Sequence, residues 1–203
     1  FKPSNQNIPS DKDSFEIVTT ARLVKFKGFE YNLRAIKEVI DKSEVNIKYT
    51  IVGDGPERAN VERTIKELGI SDNVRLVGAV SLNNVPFYLA NKDILLSLPI
   101  YLEKNERGSS YIHTETMGRC LCEAAACGLP AIASRVGGVP EVVIDSLTGF
   151  VVEEKNYLAA AEKIILLMKN PSLRLQIGKN ARRRAEDFFD FNKLFEKYEE
   201  LFL

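Results

Sequence analysis

Two glutamates with seven residues between them, Glu115 and Glu123, bracket the segment TMGRCLC. Two carboxylates alone suggest an acid/base pair. The residues between and after them point elsewhere. Gly118, Ala124 to Ala126 and Gly128 are small, and 117–127 reads as a helix closed by Gly128 and Pro130. A helix that begins near Met117 offers unpaired N–H groups from Gly118 through Arg119 and Cys120 to Leu121, an arrangement that binds phosphate oxygens. Glu123, about one to two turns in, is then placed to accept hydrogen bonds from a ribose, and Glu115 to reach sugar hydroxyls. The plainer alternative is a pair of exposed helix carboxylates.

Two cations occupy ARLVKFKG at 21–28. Arg22 and Lys27 suit a diphosphate, one as a fork and one as a point charge. Gly28 gives the backbone freedom to turn close to a ligand. Two solvated cations beside a turn is the alternative. GDGPER at 53–58 has Arg58 where a G-x-G-x-x-G fingerprint needs its third glycine, so a nicotinamide or flavin enzyme loses support. Cys120, Cys122 and Cys127 are odd in number and clustered, which is no disulfide framework. A zinc site with His113 lacks the paired spacing zinc favours. Small thiols on a packed helix account for them better, and reduced thiols suit a cytoplasmic setting.

These residues need a scaffold that brings 22, 27, 115 and 123 together. Strands are expected at 16–21, 46–52, 73–78, 93–98, 131–134 and 149–152. Helices are expected at 28–42 and 56–69, after Ser81, at the GGVPE turn (137–141), and in two or three pieces over 156–203. Pro86 is expected to interrupt the helix after Ser81 near its first turn. Residues 99–116 read as a long polar loop, a surface insertion. This rhythm predicts the α/β class, a Rossmann-like doubly wound parallel sheet. The loops after Ala21, Val52, Gly78, Leu98 and Ser134 then surround one crevice at the switch point.

Composition narrows the field. Of 203 residues, 28 are Lys or Arg and 28 are Asp or Glu, so a dedicated nucleic-acid binder is disfavoured. No apolar run reaches the ~18 residues that cross a bilayer. Residues 1–14 are polar and read as a linker, with one domain over 15–203. Arg182 to Arg184 read as a solvated helix face, and Phe188, Phe191, Phe195, Tyr198 and Phe202 as an apolar stripe.

Taken in order, ARLVKFKG, GDGP, NVRLVGAV, DILLSLP, Glu115–x7–Glu123 with EAAACGLPAIAS, and GGVPE resemble one family over residues 16–168. It is the donor-binding domain of retaining glycosyltransferases of the GT-B fold, family 4, also called glycosyl transferases group 1. The resemblance implies that Arg22 and Lys27 neutralise the departing diphosphate, that Glu123 holds the ribose and that Glu115 lies near the transferred sugar. It implies that Gly28 and the backbone of Gly118, Arg119, Cys120 and Leu121 serve the donor, and that Ala79 and Val80, after Gly78, flank the base. It further implies a UDP-, GDP- or ADP-sugar donor, a sugar or lipid-linked acceptor, no cofactor and no metal. The work would be polysaccharide, glycolipid or glycoconjugate synthesis at the cytoplasmic face of a membrane. Members carry an amino-terminal acceptor domain, and the 203 residues have no room for one, so this half is expected to bind nucleotide without transferring sugar. In similar proteins the last helix crosses back to that domain. Thr116 and Met117 depart from the family's Gly and aromatic, and the link from Pro99 to His113 is longer than usual. An epimerase or phosphorylase of the same architecture, a non-catalytic nucleotide-binding module and an unrelated phosphate-binding domain remain alternatives.

Overall fold

A computed structural model describes residues 1–2, 14–106, 109–190, 193, 195 and 199. In chain order the strands are β1 (Ser14–Thr20), β2 (Asn46–Val52), β3 (Val74–Gly78), β4 (Ile94–Ser97), β5 (Leu102–Glu106), β6 (Ser109–His113), β7 (Ala131–Ser134) and β8 (Gly149–Val152). The helices are α1 (Phe29–Asp41), α2 (Arg58–Glu67), α3 (Val85–Leu89), α4 (Arg119–Ala126), α5 (Val139–Val142), α6 (Tyr157–Lys169) and α7 (Pro171–Phe188). Six strands form one parallel sheet in the order β3-β2-β1-β4-β7-β8. The chain runs outward from β1 through β2 to β3, then returns to β4 on the other side of β1. That reversal is the switch point, and it opens a crevice at the carboxyl ends of β1 and β4.

Alternation along β1 sorts the two faces. Ile17 packs with Leu33 and Ile36 of α1, Val61 of α2 and Ile164 of α6. Val18 packs with Val85 of α3, Leu121 and Ala124 of α4, and Val139 of α5. Each fully buried Leu or Ile contributes about 1.5–3 kcal/mol, so both helix layers are held mainly by apolar burial. The doubly wound α/β architecture is therefore the observed one.

Element ends differ for local reasons. β1 starts at Ser14, two residues before the expected strand, because Phe15 is buried in the core. Pro86 sits in the first turn of α3, where the missing N–H costs nothing. Pro171 opens α7, which separates the last helical region into α6 and α7. Arg182 and Arg184 do more than face solvent. Arg182 donates to the Ala126 carbonyl at the end of α4, and Arg184 to Glu141 and Val142 at the end of α5. Cations there satisfy the helices' free carbonyls. Phe188 and Phe195 are exposed, whereas Phe191, Tyr198 and Phe202 lie outside the described residues.

The expected loop at 99–116 is corrected. It contains an antiparallel hairpin, β5 with β6, registered from Leu102 opposite His113 to Glu106 opposite Ser109. Its two strands pair only with each other, and Ile112 is 65% exposed. Ser110, Tyr111 and Ile112 are exposed in succession, so no apolar alternation marks a strand there.

Candidate functional site

A cleft of about 490 Å3 opens where the switch point requires it. It is lined by Arg22 and Lys27 after β1, Ala79 and Val80 after β3, Glu115, and Gly118, Arg119, Cys120 and Glu123 around the start of α4. Residues from four separate stretches of chain thus converge on one concavity. Thr20, Asp54, Thr116 and Met117 also line it.

Two expected residues lie elsewhere. Gly28 has φ +65°, and a Cβ there would lie 1.9 Å from the Leu98 carbonyl oxygen. Its glycine is required by packing against the end of β4, not by approach to the cleft. Asn32 fixes the same junction by accepting the Leu98 N–H at 3.0 Å. Leu121 is 1% exposed within the apolar layer, and its N–H donates to the Gly118 carbonyl at 2.7 Å.

The helix start is corrected with it. Gly118 takes a left-handed conformation, so α4 begins at Arg119 rather than Met117. The Gly118 N–H donates to Glu115 Oε1 at 3.1 Å. Among the described residues, the N–H groups of Arg119 and Cys120 therefore remain without acceptors at the positive end of the helix. The N–H groups left open to a ligand are these two, rather than the four from Gly118 to Leu121.

Glu115 is 8% exposed, and its other oxygen pairs with Lys27 Nζ. The Lys27 ammonium also lies 5.4 Å from the centroid of the Phe26 ring. Phe26 in turn sits against His113 at 5.9 Å, and His113 against Tyr111 at 5.3 Å. The hairpin thus buttresses the loop that carries Lys27, a contact the sequence did not signal. The GGVPE motif buttresses Glu115 from another side. Cβ atoms at Gly137 and Gly138 would lie 1.8 Å from the Glu115 carbonyl oxygen and 1.9 Å from that of Thr116. The Gly137 N–H donates to the Tyr101 hydroxyl at 3.0 Å.

Arg22, Arg119 and Glu123 line the cleft with their charged groups unpaired among the described residues. Arg22 and Arg119 are exposed, and neither guanidinium has a hydrogen-bond or ion-pair partner among the described residues. The Glu123 carboxylate is half-buried, with no hydrogen-bond partner among them either. Burial raises its pKa above the ordinary glutamate range, and the charge of Arg119 opposes that rise. Burial likewise pushes the Cys120 thiol up to about 11, which keeps it protonated and unreactive at neutral pH. No three His, Cys, Asp or Glu side chains gather as a metal site among the described residues.

The family model for Glycosyl transferases group 1 matches residues 2–184. The chain belongs to that family. Among relatives in the glycosyl transferases group 1, it is 34% identical over 179 residues to N-acetyl-alpha-D-glucosaminyl L-malate synthase of Bacillus anthracis, covering 84% of this chain and 43% of the relative. The chain spans about half the length, or less, of the curated relatives it matches. Its fold is that of HepE from Anabaena, solved with UDP-glucose (TM-score 0.80, 22% identity, 94% of this chain and 49% of that one). It is also that of the C-terminal domain of a glycosyl transferase group 1 protein, LpcC, from Francisella tularensis (TM-score 0.75, 21% identity, 94% of this chain and 96% of that one).

Proposed function

We propose that residues 15–203 form the donor-binding half of a retaining glycosyltransferase of family 4, acting on a UDP-, GDP- or ADP-sugar. The observation that carries this reading is the unpartnered, half-buried Glu123 carboxylate one turn from two free N–H groups and near the Arg119 guanidinium, in a cleft that Arg22 also lines. A carboxylate so placed is held at a desolvation cost that Arg119 offsets in part and a hydroxyl-bearing ligand would offset further. The ribose of a nucleotide supplies such hydroxyls.

The rest of the cleft fits the remaining parts of that ligand. Arg22, Lys27 and the Arg119 and Cys120 N–H groups would hold the diphosphate. Ala79 and Val80 would flank the base. Glu115, already bonded to Lys27 and Gly118, would present its side chain and the following loop to the sugar. As the bond from sugar to diphosphate breaks, negative charge grows on the departing phosphate. Preorganised cations and N–H donors stabilise that charge, each contributing roughly 3 kcal/mol in sites of this kind. With cations supplied by the protein, the reaction would run without a metal or cofactor. A hexose is the expected cargo. The acceptor, a sugar or a lipid-linked sugar at the cytoplasmic membrane face, would bind a second domain beyond this chain. The chain alone would bind nucleotide and not turn over.

Calorimetric titration with UDP, GDP and ADP tests this reading. At least one should bind, and Arg22→Ala should weaken it by about tenfold or more, as expected for a lost charge-assisted contact. Absence of binding by all three at millimolar concentration, or binding indifferent to Arg22→Ala and Glu123→Gln, would overturn it.

A further inference from the structure

Thr20 is the last residue of β1 and is 8% exposed. Its hydroxyl oxygen is buried and has no hydrogen-bond partner, and the residue lies in the wall of the cleft. Its neighbour Thr19, on the opposite face, is bonded to both the Leu96 carbonyl and the Tyr49 hydroxyl. The only other buried side-chain oxygen or nitrogen left unpaired among the described residues is Thr114 Oγ1, and Thr114 is not among the cleft-lining residues. Buried hydroxyls are almost always satisfied, so one left unpaired in a residue at the wall of a cleft marks a place where something else supplies the acceptor.

The surroundings say what that acceptor is. On one side Thr20 pairs with Val52. On the other, the β1–β4 register sets Val18 opposite Leu95, which two residues later brings Thr20 level with Ser97. Ser97 lies near the thiol of Cys120, in the first turn of α4. Thr20 is therefore beside the helix end where the Arg119 and Cys120 N–H groups are unpaired. Arg22 follows two residues later. Asp54, Glu115 and Glu123 line the same cleft, but Glu115 is already paired with Lys27, and the unpaired Arg119 and Cys120 N–H groups with Arg22 favour an anion beside Thr20.

We infer that the Thr20 hydroxyl donates to a diphosphate oxygen of the ligand, completing with the Arg119 and Cys120 N–H groups a cradle of three neutral donors. The inference rests on the nucleotide reading above and extends it to a residue that no motif contains. It carries a signature that a structural hydroxyl lacks. Thr20→Val keeps the shape and sets another apolar side chain beside Val52 and Val85, which line the same cleft. Removing an unsatisfied buried oxygen should leave the ligand-free chain as stable as before or more stable, while ligand affinity falls.

The experiment titrates UDP, inorganic pyrophosphate and uridine into the chain and into its Thr20→Val and Thr20→Ser variants, with thermal melts of all three proteins. Thr20→Val should weaken UDP and pyrophosphate by about tenfold, leave uridine unchanged and not lower Tm; Thr20→Ser should stay within about threefold of the parent. Unchanged affinity of Thr20→Val for UDP and pyrophosphate would mean that the hydroxyl serves a water molecule only, and would overturn the inference. So would equal weakening of uridine, or a lowered Tm with unchanged binding. Binding of pyrophosphate but of no nucleoside diphosphate would sink the nucleotide reading and leave the Thr20 cradle standing. Binding of neither would sink both.

Discussion

Lys27 and Glu115 stand 88 residues apart in the chain and meet as an ion pair at the cleft, with side chains 16% and 11% exposed. The pair joins the loop after β1 to the loop before α4, so the two halves of the site are locked before any ligand arrives. Glu115 also caps Gly118, and removing it strips both bonds at once. Glu115→Ala should cost about 2–3 kcal/mol, toward the lower end of what breaking a buried pair costs because the pair is not fully buried. Glu115→Gln keeps an acceptor for Gly118 and should cost about 1 kcal/mol. Urea denaturation separates the two. Equal destabilisation by both would show that the pairing with Lys27, not the cap, carries the effect.

Glu123 predicts a pH dependence of stability. Its pKa is raised in the folded state, first by burial. The folded chain therefore binds this proton more tightly than the unfolded one. The associated stability is fully present below the unfolded value, about 4.3 for glutamate, and is lost as pH rises through the folded value. Glu123→Gln removes that loss. The Tm difference between variant and parent should therefore grow as pH climbs from about 4.3 and level off above the folded pKa. Nucleotide affinity should move the opposite way, because an amide is a poorer acceptor for ribose hydroxyls than a carboxylate. A variant that loses stability at pH 7 would contradict this account.

Thr20 and Glu123 explain why part of the site was legible in the sequence and part was not. Arg22, Lys27, Glu115 and Glu123 could be read because each sits at a strand end or helix start, and the periodicity of the flanking elements brings those ends to one crevice. Gly28 was misplaced because a left-handed glycine looks the same in sequence whether a ligand or the Leu98 carbonyl crowds it. Leu121 was misplaced because Gly118 delays the helix and turns the next donors by part of a turn. Thr20 was missed because threonine is an ordinary strand residue, and only the three-dimensional packing shows that its oxygen is unpaired. The hairpin was missed because pattern reading depends on a buried face, and the described side chains from Ser110 to Ile112 are all exposed.

Gly137 tests whether the GGVPE turn acts on the site through Glu115. Its φ is +48°, and an added Cβ would strike the Glu115 carbonyl. Gly137→Ala should cost about 2–3 kcal/mol, combining backbone strain with displaced backbone. It should also weaken nucleotide binding by shifting the loop before α4. Gly69 is the control, since its φ is +67° but nothing lies within 4 Å of its added Cβ. Gly69→Ala should cost about 1 kcal/mol from strain alone and leave nucleotide affinity unchanged. The comparison is read from denaturation midpoints and UDP titrations of the two variants. Equal affinity losses would mean that global destabilisation, rather than the position of Glu115, controls the cleft.

His113 makes the last case, because it is the only histidine and lies on the hairpin rather than in the cleft lining. It is wedged between Phe26 and Tyr111, and Phe26 lies beside the Lys27 ammonium. If that stack holds Lys27 in place, His113→Ala should weaken nucleoside diphosphate binding by a few-fold, about the worth of one aromatic contact of 0.5–1.5 kcal/mol. His113→Phe keeps a ring and should restore the parent affinity. A histidine acting by its own charge on the ligand would behave differently: His113→Phe would fail as badly as His113→Ala. Nucleoside diphosphate titrations of the three proteins decide between a ring that positions Lys27 and an imidazole that touches the phosphate.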